Sequence, residues 1–180
     1  MLQQHGVISK PCVANIFVVS VLTKEVSGKY YIKKEMDVEY LGNRELLRLK
    51  KTAFLASNTI SSETVLRCYD WATEMRSRGE CVVSGFSSKL EQDVLHFLLK
   101  GTQPVILVLA RKMYKVLPEE LRKPLTENRL LVISVSTAAR QSKATALMRN
   151  KYICEIAEQV KFVGVTEQSS LNALRTEFEQ

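Results

Sequence analysis

The stretch Val82-Val83-Ser84-Gly85-Phe86-Ser87-Ser88-Lys89 passes from apolar residues into small hydroxyls and a glycine, then into the amphipathic run that ends at Gly101. A strand that closes this way and opens a helix exposes backbone N–H groups without intrahelical partners and leaves room in front of them. The chemistry expected there is anion binding, with Ser84, Gly85, Phe86, Ser87, Ser88 and Lys89 as candidates. The anion is either a nucleotide or a nucleic-acid backbone. Phe86, the one aromatic residue of the turn, has two readings. A base stacks on it, or its ring fills the gap between sheet and helix.

Four other short stretches share the same character. "SNTISS" carries Ser57 and Asn58, "ARKMYK" carries Arg111, Lys112 and Lys115, and "STAARQSK" carries Arg140 and Lys143. "MRNK", with Arg149, Asn150 and Lys151, comes next, at the head of the following helix. None of these stretches holds a carboxylate, although the chain has 19 Asp and Glu residues. A one-sided edge of this kind suits a phosphate-bearing partner better than overall charge alone would indicate. Tyr114 is a second surface on which a base can stack.

Other chemistries lack their residues. No glycine-rich dinucleotide fingerprint succeeds the first strand, and no G-x-x-x-x-G-K-[ST] loop occurs. The four cysteines, Cys12, Cys68, Cys81 and Cys154, are scattered, and with only two histidines they make neither a zinc site nor a disulfide framework. His96 falls on the polar side of its helix. Glu91 and Asp93 point to different helix faces and form no acid–base pair. The expectation is a non-enzymatic protein without metal or cofactor.

The elements that must position these residues emerge from the apolar pattern. "KTAFLAS", "ECVVS", "QPVILVLA", "RLLVISVS" and "VKFVGV" read as strands. The helices between them include one capped by Ser61 or Ser62 and stopped by Gly79, with Val65, Cys68, Tyr69, Ala72 and Met75 on its inner face. The second carries Leu90, Val94, Phe97 and Leu98. "YKVLPEELRKPLTEN" reads as a broken helix, Ala144 to Gln159 as a longer one, and a closing helix starts near Ser169. Strands joined by helices run parallel with right-handed crossovers. The fold class is therefore α/β, a doubly wound three-layer sheet of about five parallel strands, whose ligands gather at the carboxyl ends of the strands. Residues 1–37 form a small antiparallel β attachment around Ser27-Gly28, and residues 38–180 form the main domain.

The 180 residues, 46% apolar and 25% charged, suit one globular core, and the formal charge of +7 is moderately basic. The longest apolar runs fall far short of the about 20 residues a membrane helix needs, and the first residues do not read as a secretion signal. A cytoplasmic protein without a membrane partner is expected.

Several of these stretches together resemble one family. "YLGNRELLRLKKTAFLASNTISS" is similar to the entry of the Rossmann-like domain of the DNA-processing protein A (DprA/Smf) family, where Gly-Asn or Gly-Asp and Leu-Leu precede an apolar strand ending in Gly-Ser-Arg. "VVSGFSSKLEQDVL" resembles its Val-Val-Ser-Gly-Leu turn and helix. "MRNKYICEIAEQVKFVGV" resembles its Arg-Arg-Asn-Arg helix start and last strand, and "TEQSSLNAL" its final turn. Ala56-Ser57-Asn58 stands in place of Gly-Ser-Arg, so the family's phosphate-contacting arginine is absent. Glu91 aligns with a family Asp, and Gln168 and Ser169 replace glycines. The resemblance implies a Rossmann-like, single-domain relative that binds single-stranded DNA through a basic pocket, with a recombination protein as partner in longer members. The alternative is a pocket for a small nucleotide, as a sensor or a nucleoside-phosphate-processing protein, although the Pro-Gly-Gly-x-Gly-Thr turn of related hydrolases is missing. DNA against RNA, and a homodimer against a monomer, are left open by the sequence.

Overall fold

The structure, a computed structural model, describes residues 38–179. The β attachment expected over residues 1–37 lies outside the described residues, as do His5 and Cys12. Residues 38–179 build a six-stranded sheet in the order β1-β5-β4-β3-β2-β6. Strands β2 (Lys51–Ala56), β3 (Cys81–Ser84), β4 (Val105–Leu109), β5 (Leu130–Ser134) and β6 (Gln159–Val163) run parallel to one another. Strand β1 (Glu39–Gly42) joins antiparallel to the β5 edge, with Tyr40 opposite Ile133. The chain winds from β2 outward to β5 and then returns to place β6 on the other side of β2. The carboxyl end of β2 is thus the topological switch point, where open α/β sheets take their ligands.

Alternate side chains of the strands feed two cores, as a sheet covered on both faces requires. Phe54, Val82, Val105, Leu107 and Val132 face one layer, built from α1 (Ser62–Arg78), α2 (Lys89–Leu99) and α3 (Glu119–Thr126). Ala53, Leu55, Val83, Ile106, Val108 and Ile133 face the other, built from α4 (Lys143–Ile156), α5 (Asn172–Phe178) and the 3-10 turn at Arg44–Arg48. The arrangement is the three-layer doubly wound fold.

Local signals account for most helix ends. Ser61 caps α1 by accepting from the Thr64 amide at 3.3 Å, and Gly79 closes it in the left-handed region at φ 69°. The broken helix resolves into α3, with Pro124 in its interior. Two boundaries differ from expectation: α4 stops at Ile156, so Gln159 belongs to β6, and α5 begins at Asn172 rather than near Ser169. Among the described residues, no helix is long and apolar enough to cross a membrane.

Candidate functional site

At the switch point the carboxyl end of β2, the first turn of α2, the head of α4 and the segment before α5 enclose a cleft of about 770 Å³. Its lining includes Ser57, Asn58, Ser87, Ser88, Glu91, Lys143, Arg149 and Asn150 from the residues already singled out, and Gln141, Gln168, Ser169 and Ser170 besides. Sequence-distant loops that share a small polar character are thereby brought together.

The floor of the cleft differs from an open anion nest. Glu91 is 4% exposed and folds back beneath the turn. Its Oε2 accepts from the amides of Ser87 at 2.8 Å and Ser88 at 3.1 Å, and its Oε1 accepts from the amide of Ala56 at 3.1 Å. Ser88 reciprocates by capping the Glu91 amide at 3.2 Å, completing a capping box. The donors expected to meet phosphate are thus held by a carboxylate of the protein itself. The spacing Ser88-x-x-Glu91 is the sequence signal that identifies this arrangement.

Arg149 lies beside it, 3% exposed. Its Nη2 donates to Ser87 Oγ at 3.0 Å, its Nη1 to the Val108 carbonyl at 3.4 Å, and its Nε to Asn150 Oδ1 at 2.7 Å. Ser87 Oγ in turn donates to Glu91 Oε2 at 3.3 Å, so one hydroxyl joins the two charges. Burial lowers the Arg149 pKa, and the Glu91 charge offsets part of that effect. The guanidinium packs on Gly85, where an added Cβ would overlap it. This close approach accounts for the glycine.

Other residues singled out in the sequence lie apart from the cleft. Phe86 is 6% exposed and belongs to the core beneath α2, the second of its two readings, and with Gly85 and Tyr114 it borders a separate, smaller cavity of about 260 Å³. Its backbone adopts φ 44°, unusual for a bulky residue. Ser84 is fully buried and its Oγ accepts the Phe86 amide at 3.2 Å. Ser84, Gly85 and Phe86 therefore support the turn from below and do not line the cleft. Lys89 is held by Asp93 at 2.7 Å and Lys151 by Glu177 at 3.2 Å; neither borders the cleft.

The rim carries the remaining cations. Lys143 lines the mouth and Arg140 is exposed shortly before it. The loop after β4 is tied to the loop after β5 by the Lys112 amide on the Ala138 carbonyl at 2.8 Å and by Ser134 Oγ on the Arg111 carbonyl at 2.9 Å. Arg111 lies 4.6 Å over one face of the Tyr114 ring, a cation–π contact within the loop. Arg111 and Lys112 thus lie on the loop after β4, and Arg140 and Lys143 on the segment leading from β5 into α4, at the carboxyl ends of neighbouring strands. Among the described residues, no group of three His, Cys, Asp or Glu stands together as a metal site.

A sequence profile described as DNA recombination-mediator protein A matches residues 36–177. Among solved structures, DNA processing protein A from Streptococcus pneumoniae superposes with a TM-score of 0.63 at 20% identity, covering 79% of this chain and 51% of that one. DNA processing protein A from Helicobacter pylori, whose single-stranded DNA binding mode was the subject of its structure, superposes at 0.64 with 15% identity, covering 90% and 76%. The chain spans about half the length of the Streptococcus protein. At these identities the likeness establishes the fold. No curated protein matches.

Proposed function

The chain belongs to the DNA recombination-mediator protein A family, and on that premise we propose that it binds single-stranded DNA along the carboxyl edge of its sheet, in DNA processing or recombination, without catalysis. The backbone of the strand runs past Arg111, Lys112, Arg140 and Lys143, and the cleft beside Ser57, Asn58 and Asn150 receives part of the same strand. Phosphates are held by side-chain cations on the rim rather than by the amides of the Ser84–Ser88 turn, where Glu91 already takes those of Ser87 and Ser88.

One observation carries this reading. Among the described residues, Arg111, Lys112, Lys115, Arg140 and Lys143 form no ion pair and sit on the two neighbouring segments that follow β4 and β5, whereas Arg67, Arg78, Lys89, Arg122 and Lys151 each hold a carboxylate, and the other cations without one, such as Lys50, Arg76, Lys100 and Lys161, lie on other segments. Cations without a protein carboxylate, gathered on one edge, keep their full attraction for an external polyanion.

The test is the salt dependence of binding to a fluorescent oligothymidylate. Each phosphate neutralised on a single strand contributes a slope of about −0.7 in log K against log salt. A slope of about −2 to −3 is expected for three or four rim contacts. A slope indistinguishable from zero removes the proposal.

A further inference from the structure

We infer that Glu91 is a resident anion of the cleft, and that the cleft therefore admits an uncharged hydrogen-bonding group, a nucleobase of the bound strand, while the phosphates stay on the rim. This rests on the reading of the preceding subsection and adds to it the class of group that enters.

The grounds are electrostatic and geometric. Glu91 satisfies the Ala56, Ser87 and Ser88 amides from within, so these three donors at the floor are closed to a phosphate. A phosphate brought to the floor would meet the buried Glu91 carboxylate, a group of like charge. The positive charge nearest that carboxylate, on Arg149, is buried and joined to it through Ser87 Oγ. The charged side chains lining the cleft are Glu91, Arg149 and Lys143. The first two lie together at the floor, and only Lys143 is exposed, at the mouth.

The rest of the lining is of a different kind. Asn58, Gln141 and Gln168 bring side-chain amides, Asn150 brings its amide N–H groups while its oxygen is held by Arg149, and Ser57 and Ser169 bring hydroxyls. Amides carry a donor and an acceptor side by side, the pattern that pairs with the edges of bases splayed from a single strand. The volume of about 770 Å³ lies within the range of small-molecule pockets and leaves space for a base with its sugar.

The experiment compares wild-type protein binding to a short oligothymidylate and to an abasic deoxyribose-phosphate strand of equal length and charge. Binding of the abasic strand is expected to be weaker by roughly tenfold or more, the effect of one well-held base. Equal affinity overturns the inference and leaves the DNA-binding reading intact, whereas failure of both strands to bind removes that reading itself. Inorganic phosphate gives an independent measurement: it is expected to leave the melting temperature of the wild-type protein unchanged and to raise that of Glu91→Gln, which keeps the side chain's shape and removes its charge. A rise in the wild-type protein that is absent from Glu91→Gln overturns the inference. The wild-type measurements decide the matter whatever the stability of the variant.

Discussion

Arg149 rests its guanidinium on Gly85, and the approach is so close that a single methyl group on the glycine would occupy the same space. Gly85→Ala therefore forces the guanidinium off the Ser87 hydroxyl and the Val108 carbonyl. The expected loss of stability is about 1–3 kcal/mol, in the range for overpacking a filled interior. Urea denaturation checks it, and a variant as stable as wild type would show that the arginine relocates freely.

Glu91→Ala leaves three backbone amides without their acceptor at a buried site. Unsatisfied buried donors cost about 1–3 kcal/mol each when water cannot reach them. Because the cleft admits water, a total of about 3 kcal/mol is expected, with Glu91→Gln losing less since one oxygen remains. Hydrogen exchange at the Ala56, Ser87 and Ser88 amides measures the same loss locally.

On the rim, Arg140→Ala and Lys143→Ala are each expected to weaken oligonucleotide binding uniformly across sequences and to reduce the salt slope by about 0.7, because contacts to the DNA backbone carry no sequence information. Lys151→Ala, whose partner is Glu177, is the control and leaves both unchanged. Anisotropy titrations at several salt concentrations distinguish them.

The three thiols among the described residues should be inert in the folded protein. Burial pushes Cys81 and Cys154 up to about 12, and it raises Cys68 as well. At pH 8 a thiol with a pKa of 12 is about 0.01% thiolate, the reactive form. Iodoacetamide treatment and peptide mapping should show these three residues modified only after unfolding.

At the amino-terminal end of the sheet, Glu158 Oε2 accepts the Lys51 amide at 2.6 Å and its Oε1 lies 3.4 Å from the buried Lys51 ammonium. Burial pushes the Glu158 carboxyl up, but hydrogen bonds from the Lys51 and Glu158 amides and the lysine charge together outweigh it, and the net pKa is lowered. A carboxyl depressed on folding contributes stability above its unfolded pKa and loses it as pH falls through the folded value. Glu158→Gln should therefore destabilise at pH 7, by about 0.5–1 kcal/mol because the carboxylate of the pair is half exposed to screening solvent, and the difference from wild type should vanish in acid. Denaturation midpoints at both pH values test the sign.

Much of this fold is legible in the chain because its signals are local. The apolar runs around Val105–Leu109 and Leu130–Ser134 admit only strands covered on both faces, and Ser61 and Gly79 bound α1 as caps do. The loops that meet at the cleft are legible too, since sheet topology gathers the carboxyl ends of strands. The sign of the floor is harder to read. Glu91 looks like a solvated helix residue until its capping box with Ser88 is recognised, and Arg149 sits on a helix whose apolar periodicity is too weak to reveal the inner face. Phe86 shows the same limit: its burial depends on a left-handed backbone that residue type does not suggest.

A turn furnished with its own counter-ion has no vacancy to collapse into when nothing is bound. With the Ala56, Ser87 and Ser88 amides paired inside the protein, association is expected to be governed by diffusional encounter and electrostatic steering rather than by a preceding rearrangement of this turn. In stopped-flow mixing, the observed rate should climb linearly with oligonucleotide concentration, without a plateau.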